Sequence, residues 1–209
     1  MKINEIFYSM QGEGSWVGLP NIFIRTTGCN LRCSFCDTTY AYTHGVEMDV
    51  KEVVDEVQKY PCNYVCITGG EPLLQDEIEE LIDVLLKRKY VLCVETNGSI
   101  DIKKLAGKKS LMISLDIKCP SSTMHDKMNF DNLSQLGCND QLKFVINNKV
   151  DYEYAKKIMK KYKPQCIIFF QPVWGTDPKK LSSWILHDDL HVRIGLQLHK
   201  MIWGNTKGV

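Results

Sequence analysis

Apolar and polar positions along the chain fall into two recurring patterns. Short apolar runs at Asn21–Thr26, Tyr64–Thr68, Val91–Glu95, Leu111–Ile117, Gln141–Ile146, Cys166–Phe170 and Val192–Leu196 read as buried strands. Between several of them the apolar residues recur at helical spacing. Val50, Val53, Val54 and Val57 form one stripe, opened by Asp49, and Glu52 completes a capping box. Ile78, Leu81, Ile82, Leu85 and Leu86 form a second. Asp151 is expected to open a third helix, and Asp177-Pro178 a fourth with proline in its first turn. Strand–helix alternation with continuously apolar strands indicates an α/β parallel sheet covered by helices. Its functional groups belong beyond the carboxyl ends of the strands. Seven strands are too few for a closed eightfold barrel with eight helices. No repeat, low-complexity tract or linker interrupts the pattern, so one domain is expected over residues 1–209.

Composition removes several classes of partner. The chain carries 26 basic and 25 acidic residues, a net charge of +1, so no strong field attracts nucleic acid or an anionic membrane. No stretch approaches the roughly 18 apolar residues of a membrane span, and no signal-like apolar run follows Lys2. A cytoplasmic location is expected, where thiols stay reduced. Cys62, Cys66, Cys93, Cys119, Cys138 and Cys166 are widely dispersed. Of these, Cys66, Cys93 and Cys166 sit in apolar runs and read as small buried hydrophobes.

The other three cysteines change the picture. Cys29, Cys33 and Cys36 stand in the stretch Gly-Cys-Asn-Leu-Arg-Cys-Ser-Phe-Cys-Asp-Thr, just after the first apolar run. Three thiolates given to a four-iron cube leave one iron open, whereas the usual cage supplies four. An open metal position marks a reactive centre. The same thiols also suit a structural zinc site with His44 as fourth ligand, in a non-enzymatic interaction module. Iron and sulfide analysis separates the two.

Cys-x3-Cys-x2-Cys with Phe35 before the last cysteine resembles the radical S-adenosylmethionine superfamily. The resemblance implies a partial, incomplete TIM-like barrel with a splayed, mostly parallel sheet. It implies a [4Fe-4S] cluster on Cys29, Cys33 and Cys36 whose free iron chelates S-adenosylmethionine. Reductive cleavage of that cofactor gives a 5′-deoxyadenosyl radical, with the electron from an external flavodoxin- or ferredoxin-like donor. Thr68-Gly69-Gly70-Glu71-Pro72 resembles the superfamily's glycine-rich motif, with Gly69, Gly70 and Glu71 meeting the cofactor's methionine end. Thr96 and Asn97 after the third run, Ser114 and Lys118 along the fourth, and Gln171 after the sixth are further cofactor candidates.

A finer resemblance comes from Tyr8-Ser9-Met10-Gln11-Gly12-Glu13-Gly14, Arg25, Cys36-Asp37-Thr38 and the run Gln197 to Gly204. Together they resemble the 7-carboxy-7-deazaguanine synthase family. That family consists of carbon–nitrogen lyases which convert 6-carboxy-5,6,7,8-tetrahydropterin to 7-carboxy-7-deazaguanine with loss of ammonia, on the route to queuosine. The resemblance implies magnesium at Thr38, a homodimer, and pterin contacts from Gln11, Gly12, Glu13, Arg25, Thr68 and His199. The side-chain chemistry suits such a ligand. Gln11 offers an acceptor and donors, Glu13 accepts from an exocyclic amine, and Arg25 presents a fork to a carboxylate. A neutral hydroxyl at Thr38 suits a hard cation that keeps several waters. A glycyl-radical activating enzyme acting on a partner protein shares the cysteine motif and small size, but has no need of Gln11 to Gly14.

Overall fold

A computed structural model describes residues 1–209. Its centre is one open nine-stranded sheet. In chain order the elements are β1 (Lys2–Met10), β2 (Pro20–Thr26), β3 (Val46–Glu47), α1 (Val50–Val57), β4 (Tyr64–Gly69), α2 (Ile78–Lys87), β5 (Val91–Thr96) and β6 (Leu111–Ile117). They continue as β7 (Gln141–Ile146), α3 (Lys149–Tyr162), β8 (Ile167–Pro172), α4 (Pro178–His187), β9 (Arg193–Ile194) and α5 (Leu198–Trp203). The order across the sheet is β3-β1-β2-β4-β5-β6-β7-β8-β9. From β2 onward neighbours are parallel, while β1 is antiparallel to both β2 and β3. The result is the splayed, unclosed barrel of the α/β class.

Local sequence explains the helices. Asp49 and Glu52 form the expected capping box on α1. Asp177 caps α4 through Lys179 N, with Pro178 at its first position. The start of α3 is a correction. Asn148 is the cap, and Asp151, fully buried, accepts from Asn147 N and Ser121 N at 2.9 Å each. An acidic residue in the first turn mimics a cap in sequence. Three strand expectations also shift. β1 was not among the predicted strands, because its one deeply buried side chain, Ile3, gives no apolar run. The strand expected at Cys166–Phe170 runs instead from Ile167 to Pro172. The last shrinks to Arg193–Ile194, both exposed at the sheet edge.

Strand alternation divides the core into two sides. Residues such as Ile22, Val65, Ile67, Leu92, Val94, Ile113 and Leu142 face the helices, within a core of 35 buried residues. The inner face begins with a small layer of Phe23, Cys66, Cys93 and Met112, which are successive register partners across β2, β4, β5 and β6. One step further toward the carboxyl ends the inner positions turn polar: Arg25, Thr68, Glu95 and Ser114. Asp116 and Lys143 pair in the layer beyond. No helix is long and apolar enough to cross a membrane.

Candidate active site

The polar layers form the floor of a cavity of about 670 Å³ at the carboxyl ends of the strands, a size that suits cofactor plus substrate. Cys29, Cys33 and Cys36 line one wall as free thiols, in the loop after β2. Asn97 Nδ2 donates to Cys29 Sγ at 3.7 Å and to Asn30 Oδ1 at 3.0 Å. Arg32 lies 4.3 Å over the Tyr42 ring and pins the loop's other side. His44 does not line the cavity.

The glycine-rich loop is where the structure corrects the sequence reading. Gly69 and Gly70 do line the cavity, but the close approach they permit is to backbone. A Cβ on Gly70 would lie 2.0 Å from Gly28 O, and one on Gly69 2.4 Å from Thr26 O. Glu71 does not reach the cavity. Its buried carboxylate accepts from Asn97 N (2.6 Å), Thr96 Oγ1 (2.8 Å) and Leu73 N (3.1 Å). It ties the loops after β4 and β5 together, and burial pushes its pKa up to about 6 against those donors. Ser114 is a second correction. It does not line the cavity and accepts from Gln141 Nε2 at 2.8 Å. Thr96, Asn97, Lys118 and Gln171 remain on the cavity wall. Gln171 Oε1 is buried without a protein partner, which leaves an acceptor for a ligand donor.

The expected substrate residues line the same cavity. Arg25 donates from Nε to Glu5 Oε1 at 2.7 Å and lies over the rings of Phe7 and Tyr40, leaving its terminal nitrogens without a protein partner. Thr68 Oγ1 donates to Glu95 Oε2 at 2.8 Å. Gln11 Nε2 donates to Glu95 Oε1 at 3.3 Å. Gly12 is required by α5, since a Cβ there would lie 2.0 Å from His199 Nδ1. Leu198 N donates to Gly12 O at 2.9 Å and holds α5 against the β1 loop. Burial and Lys200 lower the His199 pKa against the pull of Glu13 and Asp37, so the imidazole is neutral at pH 7.

A chain of buried charge runs along the cavity lining, and sequence reasoning missed most of it. Lys118 Nζ donates to Asp116 at 2.8 Å, and Lys143 Nζ bridges Asp116 (3.3 Å) and Glu13 (2.7 Å). Gln197 Nε2 donates to Glu13 Oε1 at 2.8 Å. Burial opposes ionisation of Glu13, but Lys143 and Gln197 outweigh it and hold the carboxyl below its usual range. Asp37 follows the same logic. Burial raises its pKa, while Lys200, Thr38 and Gln197 bring it down to about 2. Thr38 Oγ1 donates to Asp37 at 2.9 Å, which leaves the hydroxyl lone pairs free. The sequence signal was present in Lys143, the one charged residue in β7, at an inward position. Asn205 and Val209 also line the cavity.

Comparisons with known proteins agree with this geometry. A family model described as the radical SAM superfamily matches residues 23–167. The crystal structure of QueE from Escherichia coli shares the fold, with a TM-score of 0.79 and 23% identity over 95% of this chain and 94% of that one. Fold and three-thiol cavity therefore define a radical S-adenosylmethionine protein. A 7-carboxy-7-deazaguanine synthase of Methanospirillum hungatei JF-1 is 45% identical over 97% of this chain and 85% of its own length. Another, from Thermoplasma acidophilum, is 36% identical over the full length of both. The chain belongs to the 7-carboxy-7-deazaguanine synthase family. That membership leaves the glycyl-radical alternative without support.

Proposed function

We propose that this chain, acting as one unit over residues 1–209, converts 6-carboxy-5,6,7,8-tetrahydropterin to 7-carboxy-7-deazaguanine with release of ammonia. The observation that carries the reading is one cavity lined by three free thiols together with Gln11, Glu13, Arg25 and His199. Cys29, Cys33 and Cys36 would hold a [4Fe-4S] cluster, which with S-adenosylmethionine supplies one-electron radical chemistry. The unsatisfied Gln171 oxygen suits the adenosine end of that cofactor, and Lys118 stands beside the cluster loop.

On the substrate side, Glu13 is held ionised and each of its oxygens keeps a free lone pair. It accepts from the amine edge of the pterin, while Gln11 reads the neighbouring ring positions. The free fork of Arg25 and neutral His199 hold the pterin carboxylate. Thr38 offers an oxygen to a magnesium ion that orients the same carboxylate. Asp37 is committed to Lys200 and Gln197 and is the poorer ligand. We place the reaction in the cytoplasm, in a homodimer, with a small flavodoxin- or ferredoxin-like donor supplying electrons.

The test is anaerobic incubation of the iron–sulfur-loaded protein with S-adenosylmethionine, reductant, magnesium and the carboxypterin. Ammonia and a deazapurine are expected in equal amounts. Cofactor cleavage without that product rejects the substrate assignment and keeps the superfamily.

A further inference from the structure

Beneath the cavity floor lies a pair of thiols that the proposed reaction does not use. Cys66 on β4 and Cys93 on β5 are register partners in adjacent parallel strands, and both are buried, at 0% and 1% exposure. The strand period turns them to the inner face and turns Glu95, two residues beyond Cys93, the same way. One ligand atom from each of Cys66, Cys93 and Glu95 lies within 4.8 Å of the other two. Sulfurs on one tetrahedral zinc ion at about 2.3 Å stand about 3.8 Å apart, so shifts of about 1 Å or less bring all three onto one centre. Gln11 already marks that centre. Its Nε2, the positive end of the amide dipole, donates to Cys66 Sγ at 3.4 Å and to Glu95 Oε1 at 3.3 Å. Rotated about its last torsion, and giving up the bond its oxygen accepts from Glu13 N at 3.2 Å, the same carboxamide presents oxygen instead.

We propose that Cys66, Cys93 and Glu95 bind a single thiophilic divalent cation of the zinc class, with the Gln11 oxygen or a water in fourth place. The site is separate from the three-cysteine loop. Binding forms two metal–sulfur bonds, breaks two S–H bonds and releases two protons, with no change of oxidation state. Two thiolates cancel the dication, so binding leaves the net charge of the site unchanged. Ligation withdraws Gln11 and Glu95 from the cavity floor and makes the cation an inhibitor competing with the pterin. This last consequence rests on the proposed substrate site; the binding itself does not.

Cadmium is the probe. The cluster-loaded protein is exposed to Cd²⁺ anaerobically in excess magnesium, desalted, and analysed for cadmium and iron. One cadmium per chain is expected, with iron unchanged and about two protons released per cadmium in weak buffer. Cys66→Ser and Cys93→Ser are each expected to bind at least tenfold more weakly. Proton release is read on the unaltered protein, so it decides the matter even where a substitution harms folding. No retained cadmium, retention at the unaltered protein's level in both variants, or iron lost as cadmium is gained overturns the proposal. Uptake with no inhibition of turnover overturns the inhibitory consequence alone.

Discussion

Gly70→Ala tests how the glycine-rich loop and the cysteine loop depend on each other. Gly70 does not have a positive φ, so alanine is tolerated by the local backbone. The obstacle is space. The added Cβ would sit 2.0 Å from Gly28 O, 2.5 Å from Gly28 C and 3.0 Å from Cys29 Cβ. Carbon contacts settle near about 3.5 Å, so the loops must part by more than about 1 Å. Backbone cannot swing aside as a side chain does. Parting breaks the hydrogen bond from Glu71 N to Gly28 O, now 2.8 Å, at about 1 kcal/mol. Overpacking adds about 1–3 kcal/mol. A loss of about 2–4 kcal/mol at about 2–4 °C each lowers Tm by about 4–16 °C in a chain of this size. Displaced Cys29 should also cost iron after reconstitution. The control is Gly107→Ala, at φ +75 with nothing within 4 Å. It carries only the left-handed penalty of about 1–2 kcal/mol and should load iron fully. Gly70→Ala with four irons per chain and wild-type Tm would refute the claimed contact between the loops.

Lys143→Met removes the cation paired with Glu13, leaves Asp116 with Lys118 alone, and should destabilise the fold by about 3–5 kcal/mol. Glu13, now held below 4.5, contributes stability that is present above pH 4.5 and lost as pH falls through its lowered pKa. The variant should therefore raise KM for the pterin and move an acid limb of kcat/KM toward neutrality, and Lys143→Met with Glu13→Gln should recover much of the stability. An unchanged pH profile contradicts this. His199 has a lowered pKa, so its contribution is full above pH 6.5 and lost as pH falls through the folded value; an imidazole NMR titration midpoint at or above 6.5 would contradict the assignment. Gly12→Ala should push His199 out of place and raise the pterin KM at least tenfold while S-adenosylmethionine affinity holds. Thr38→Ala should slow turnover at limiting magnesium, and a wild-type rate there would remove Thr38 from the metal site.

The cluster loop was legible because its chemistry is local. Three cysteines within eight positions need no tertiary information to be read as one ligand set. The capping box on α1 and the proline-started α4 were legible for the same reason, since each is a contact between residues three or so apart. The same locality misled at α3, where Asp151 resembles a cap in sequence and is a buried staple in space.

What the sequence by itself determined was the strand–helix alternation, the three-thiol loop and the positions of most cavity residues along the chain. Strand period and local hydrogen bonding set these. Only the tertiary structure decided the rest. Glu71 and Thr96 lie 25 residues apart and meet by hydrogen bond. Lys143 meets Glu13 across 130 residues, and Gln197 meets it across 184. Ser114 and Glu95 occupy equivalent inward positions on neighbouring strands, yet Glu95 lines the cavity and Ser114 does not. Partner choice at such separations depends on sheet register and on which face each strand presents, and no local pattern encodes either.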